Sequence, residues 1–253
     1  MFNTKRLQII FSIVSAAGFW LLLNLLYNLF AEGSGGQRFI ELLGGTWQGY
    51  IQAAIYAVFF YSMFELFAKR KFLRQQFNAF NFGLLPEQDQ LVLSPDEVAQ
   101  IKLNTINLEK GGQFSMVGDF IKKACTQYRN EQNVGETLQV FNAQVNNSKE
   151  ELESDLEIVR YLLGAIISLG FIGTLLGLSS SIGMAHLAKT VEGMPVITRS
   201  LNLAFDTTLI ALVTGLVLNF LYHQYLKEMD SFYSRSKSYV INNLISRIYQ
   251  PAR

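Results

Sequence analysis

The sequence predicts an all-α membrane protein: four transmembrane helices joined to a helical cytoplasmic domain. Charged residues make up 16% of the 253, and half the chain is hydrophobic; an ordinary soluble domain carries about 25% charged residues. The deficit is concentrated. Residues 7–31, 42–64 and 161–188 carry no charge, and Asp206 is the only charge between Arg199 and Lys227. Each stretch reaches the roughly 20 apolar residues that cross about 30 Å of hydrocarbon. Lysine and arginine supply the third observation. With both termini and residues 69–160 inside, all but three of the 21 basic residues (Arg38, Lys189 and Arg199) lie on the inner side, and the KRKFLR run at 69–74 directly follows the second span. The positive-inside rule therefore gives an N-in, C-in protein with two pairs of spans.

Residues 1–68 hold the first two spans, at about 8–30 and 46–68, joined by the short outer loop AEGSGGQRFIELLGG. No small-residue cleavage site follows the first span, so it is read as a retained helix. Both spans are bulky and aromatic with little difference between faces, which suits a lipid-facing position outside an assembly. Glu65 stands four residues before Lys69, the spacing of an i,i+4 ion pair.

Residues 69–158 read as a cytoplasmic helical domain. Ser94-Pro95-Asp96-Glu97 has the form of an N-cap with proline at the first helical position and glutamate three residues on. Gly111 and Gly112 mark a break. From Val134, apolar residues recur at Leu138, Phe141 and Val145, the pattern of an amphipathic helix. No proline or glycine interrupts 136–163, so this helix is expected to run straight into the third span. The acidic run Glu150, Glu151, Glu153, Asp155 and Glu157 is either a solvated face or a cation-attracting vestibule.

Residues 159–226 hold spans three and four, at about 160–186 and 200–226. They are rich in glycine, alanine, serine and threonine, the composition of close helix–helix interfaces in membranes, and are placed inside an assembly. At helical offsets, Gly170, Thr174, Gly177 and Ser181 share one face of span three, and Ala204, Thr208, Ala211 and Gly215 share one face of span four. Thr174 lies roughly 20 Å from the inner surface and Thr208 roughly 13 Å from the outer one at 1.5 Å per residue. The two hydroxyls fall within one or two turns of the same depth. Such stripes either pack helices, with each threonine bonded back to its own i−4 carbonyl, or give the two threonines a shared polar lining. Asp206 is turned about 160° away from Thr208 on a helix of 100° per residue. A carboxylate in a span marks an ion pathway or pairs with a cation, so it serves an ion entrance or pairs with Lys189 or Arg199 of its own loop. Residues 227–253 are expected to continue span four as a cytoplasmic helix, with Met229, Phe232, Val240, Leu244 and Ile248 on its packed face.

Several functions are excluded by what the residues lack. The net charge of +1 gives no argument for nucleic acid. One cysteine, Cys125, allows no intrachain disulfide and implies no metal cluster. His186 and His223 stand alone at the ends of spans, as interfacial anchors do. No phosphate-binding glycine loop and no nucleophile paired with a base is present, so the chain is read as no enzyme and without cofactor. Proton conduction normally needs a titratable group in mid-membrane, and the threonine faces carry none. Such a group must come from another subunit.

The stretch GFIGTLLGL at 170–178 resembles the glycine–threonine signature of the MotA/TolQ/ExbB channel family, matching at Gly170, Gly173, Thr174 and Gly177. NLAFDTTLIALVTGL resembles that family's span-four stretch, with Thr208 on its threonine and Ala211 replacing its glycine. Ile167 and Val217 stand near positions where relatives often have proline. The four-span layout resembles flagellar stators. The resemblance implies a homopentameric ring in the bacterial inner membrane, with periplasmic outer loops and with spans three and four lining a central pore. Inside would sit a dimer of a MotB/TolR/ExbD-type single-span partner, whose membrane aspartate carries the proton. Thr174, Thr208, Ser181, Thr207 and Asp206 would lie along the ion path; Gly170, Gly173, Gly177, Ala204, Ala211 and Gly215 would give clearance for the partner's helices. The ion is expected to be H⁺, with Na⁺ left open by the paired Thr207–Thr208 hydroxyls. Ion flow would turn the ring around the partner and yield mechanical work. The alternatives are a membrane scaffold and a self-sufficient channel or transporter.

Overall fold

The computed structural model describes residues 2–31, 33–86, 92–112, 114–190 and 193–249, with side chains from Ile9 onward. The expected C-terminal helix thus reaches beyond the described residues at 250–253. Eight α-helices carry the described chain: α1 (Phe2–Leu29), α2 (Gly35–Leu42), α3 (Tyr50–Phe77), α4 (Pro95–Lys110), α5 (Met116–Glu131), α6 (Val134–Ser154), α7 (Glu157–Gly183) and α8 (Gly193–Asn243). Four helices among the described residues are long and apolar enough to cross a membrane, and the protein is an all-helical membrane protein. It divides into two compact units. One comprises Met1–Ala68 and Glu157–His223, the other Lys69–Leu156 and Gln224–Arg253.

In the first unit, α1 and α3 are joined by an aromatic ladder. Phe11 meets Phe64 at 5.4 Å between ring centroids, and Phe19 meets Tyr56 at 4.9 Å and Phe60 at 5.9 Å, all edge-to-face. This arrangement adds quadrupole attraction to the buried area. The two aromatic spans thus pack on each other, with 17% of the apolar stretch of α1 and 39% of that of α3 buried. Ile10, Val14, Leu21, Leu22 and Leu25 keep α1 exposed.

The loop between them holds a helix that the sequence reading passed over. Ser34 caps α2 by accepting from the Gln37 amide. Gly44 then takes φ +87°, a left-handed turn that a side chain rarely adopts. The turn is pinned from both sides: Trp20 Nε1 donates to the Gly44 carbonyl and Tyr56 Oη to that of Leu43, each at 2.9 Å. These turns delay the helix start from the expected 46 to Tyr50. Gln52, fully buried, has no hydrogen-bond partner for either end of its amide.

In the second unit, the Ser94–Glu97 capping box and Pro95 open α4 as expected, and the Glu97 carboxyl is held below its ordinary pKa by the hydrogen bonds from Ser94. Lys110 ends α4, and Gly112 takes φ +87° beyond it. Helices α4, α5 and α6 pack consecutively. Their core is aromatic: Phe120, Phe141, Phe232 and Tyr233 are buried, with Phe77 and Phe80 edge-to-face against Phe232. Met229, Phe232, Val240 and Leu244 all turn inward from the end of α8. Cys125 is buried, which pushes its thiol up to about 12.

All five carboxylates of the acidic run are exposed, as a solvated face requires, and three of them pair with basic residues. Asp155 meets Lys69 at 3.4 Å, Glu153 meets Lys149 at 3.5 Å, and Glu157 pairs with Arg160. The expected straight helix through this region is interrupted at Asp155 and Leu156, between α6 and α7. Carboxylates crowd the last turns of α6, where the helix dipole is negative and like charges repel.

Candidate functional site

The site is built from the middle of α7 and α8. Gly170, Gly173, Gly177 and Ser181 are buried on α7 here, and Ala204, Asp206, Thr207, Ile210 and Ala211 are buried on α8. The fit is tight enough to require glycine. A Cβ at Gly170 would strike Ala211 Cβ, one at Gly173 would lie 2.6 Å from Thr207 Cβ, and one at Gly177 would lie 2.9 Å from Ala204 Cα. This corrects the expected role of the stripe. The glycines of GFIGTLLGL, with Ala204 and Ala211, give clearance to this chain's own α8, not to a foreign helix. The contacting row on α7 keeps Gly170, Gly177 and Ser181 of the expected face and differs at one residue, with Gly173 in it and Thr174 at its edge.

Thr174 and Thr208 are half-buried, side by side at the edge of this contact. Their hydroxyls hydrogen-bond each other. Thr174 Oγ1 also lies 3.3 Å from the Gly170 carbonyl and 3.2 Å from that of Ala204; Thr208 Oγ1 lies 3.2 and 3.3 Å from the same two oxygens. The similar depth expected of the two threonines is thus direct contact. The packing and shared-node readings hold together, because each hydroxyl lies within hydrogen-bond reach of its own i−4 carbonyl and of the facing one. Two hydroxyls own two protons. One joins the two oxygens and one goes to a carbonyl, leaving lone pairs for an outside donor or a cation. Neither hydroxyl titrates near neutral pH, so the node can accept a hydrogen bond or ligate a cation but cannot itself carry a proton.

The other expected path residues are not gathered there. Thr207 is 1% exposed, pressed on Gly173, and donates to the Ala204 carbonyl at 2.9 Å. It points into the α7–α8 contact, which removes the paired-hydroxyl argument for Na⁺. Ser181 is buried and donates to the Ile197 carbonyl at 3.2 Å.

Asp206 is 5% exposed, and its partner is neither Lys189 nor Arg199. Arg38 of α2 forks onto it, Nη1 to Oδ2 at 2.7 Å and Nη2 to Oδ1 at 2.9 Å. Arg199 instead reaches Glu41 at 3.3 Å. The hydrogen bonds that Arg38 donates to the Asp206 carboxylate raise its guanidinium above its ordinary pKa. The fork gives the Asp206 carboxylate a cationic partner, so the expected pairing is present with Arg38 in place of Lys189 or Arg199. Arg38 is the residue that sequence reasoning missed; its signal was a lone outer-loop cation opposite a lone buried acid.

Gly215 lies outside the tight contact, since a Cβ there would find only Ile167 and Ile166 at 3.8 and 3.9 Å. It lines a groove of ≈ 360 Å³ with Gly164, Ile167, Leu212 and Leu216. Among the described residues, no group of three or more His, Cys, Asp or Glu is placed to hold a metal.

The model of the MotA/TolQ/ExbB proton channel family matches residues 113–237, which include α7, most of α8 and the threonine node. Over that segment the chain is similar to the MotA/TolQ/ExbB proton channel family. The resemblance carried by GFIGTLLGL and NLAFDTTLIALVTGL is therefore borne out. No curated protein and no solved structure matches the chain. In this MotA/TolQ/ExbB segment the node is the polar feature that α7 and α8 build together, and the Arg38 end of the ion pair lies outside it.

Proposed function

We propose that the chain is the ring-forming subunit of an ion-driven rotary motor in a bacterial inner membrane, conducting H⁺ with a single-span partner. Five copies surround a dimer of that partner, both termini lie in the cytoplasm, and α7 and α8 face the central pore. The observation that carries this reading is the Thr174–Thr208 node. It is a polar pair at the edge of a membrane helix contact, inside the family segment, with spare acceptor capacity and no proton-carrying group of its own. A protonated carboxylic acid on the partner's helix is the complementary chemistry: its O–H donates to a threonine oxygen, and its ionised form accepts from a threonine O–H. The groove at Gly164 and Gly215 offers an approach for a foreign helix, since the glycines above it are spent on α8.

One observation favours the scaffold alternative: the threonine hydroxyls already bond carbonyls of their own helix pair. Co-expression with the product of the neighbouring gene separates the two. The motor reading expects a stable complex of five copies with two copies of a protein that has a short inner tail, one span bearing an aspartate, and an outer domain. A stable monomer that captures no such protein contradicts it.

A further inference from the structure

Helices α2 and α8 carry charges in complementary order. Arg38 and Glu41 stand three residues apart on α2, and Arg199 and Asp206 seven apart on α8, so each pair shares a helix face. Arg38 forks onto Asp206 at 2.7 and 2.9 Å, Arg199 reaches Glu41 at 3.3 Å, and Arg38 Nη1 lies 3.5 Å from Glu41. Cation faces acid at both points of contact. The fork is the demanding one, because two parallel hydrogen bonds fix the guanidinium and carboxylate planes together. A slip of α8 by one residue would move Asp206 by about 1.5 Å along and about 100° around the axis, out of the fork's reach. Asp206 and Thr208 sit on opposite sides of α8, separated by about 160°. One side of the helix is gripped by Arg38, the other rests on the glycines of α7.

We infer that Arg38 is a positioning residue for the threonine node: through Asp206 it sets the height and rotation of α8 and holds Thr208 against Thr174. The buried carboxylate is the anchor of that register. Arg199 and Glu41 steady the second point of contact. The inference rests on the node being the working part of the chain, but the register can be measured without any partner.

The experiment uses the full chain in native membranes in a Cys125→Ser background. Thr174→Cys with Thr208→Cys reports the register, because hydrogen-bonded hydroxyls place the substituted thiols within bonding reach. Phe11→Cys with Phe64→Cys, across the α1–α3 ladder, reports the general integrity of the same unit. Disulfide formation under mild oxidation is read as loss of maleimide-polymer labelling after denaturation. Losing a buried pair's partner is strongly destabilising, so Arg38→Met is expected to slow the 174–208 disulfide about tenfold or more and leave the 11–64 disulfide unchanged. If Arg38→Met does not reach the membrane, Arg38→Lys, which keeps the charge and loses the fork, is read in the same way. An unchanged 174–208 rate overturns the inference, and so does an equal slowing of both pairs, which would make Arg38 a general support. Failure of the motor reading would appear in ion flux and partner capture, not in these rates.

Discussion

Replacing Gly177 by alanine tests whether the glycines serve α8. The added Cβ would lie 2.6 Å from Ala204 Cβ and 2.9 Å from its Cα and backbone nitrogen. Carbon atoms settle at about 3.5–4.0 Å, so α7 and α8 must part locally by roughly 1 Å. Main chain on the far side cannot rotate away. Overpacking of this kind costs about 1–3 kcal/mol. Alanine returns about 1 kcal/mol of helix propensity over glycine, and this is removed by comparison with Gly164→Ala, where a Cβ meets nothing within 4 Å. Thermal unfolding of the detergent-purified chain, followed by the fluorescence of Trp20 and Trp47, which pack at 5.4 Å in this unit, provides the measure. At about 2–4 °C per kcal/mol, Gly177→Ala is expected to melt several degrees below Gly164→Ala. Equal melting, or a higher midpoint for Gly177→Ala, would refute the tight contact.

Two further outcomes follow from polar groups away from the node. Gln52→Met keeps the volume and removes a buried amide without hydrogen-bond partners, a burden of about 1–3 kcal/mol; its melting temperature should match or exceed that of the parent, and a drop of several degrees would show the amide to be satisfied. Glu97, with a folded pKa below 4.5, gives α4 a cap that is complete above that pH and is lost as pH falls through the lower folded value. Glu97→Gln should therefore flatten the stability profile of the second unit below about pH 4.5, and an unchanged acid limb would contradict the cap's role.

Much of the architecture was legible because it is periodic. Four long apolar stretches, the Ser94 capping box and the apolar positions at Met229, Phe232 and Val240 are local patterns, and they reappear in the helices. The threonine node was half legible: spacing put Thr174 and Thr208 on narrow small-residue faces, but adjacent residues differ by about 100°, too little to decide whether Gly173 or Thr174 leads the contact. What the glycines pack against cannot be read from one helix. The α2 turn escaped because a helix of eight residues leaves little periodicity. The partner of Asp206 escaped for a stronger reason. Arg38 lies 168 residues away, and only the folded chain brings it closer than the nearby Lys189 and Arg199. The break at Asp155 shows the converse, since no glycine or proline marks it in the sequence.

The central claim is that the threonine node is this chain's share of an ion path completed by a partner's carboxylate. Ion flux into vesicles reconstituted with the chain and its single-span partner tests it directly. Thr174→Ala combined with Thr208→Ala should abolish flux while the complex keeps its size, and Thr174→Ser with Thr208→Ser should conduct. Undiminished flux through the double alanine variant would contradict the account.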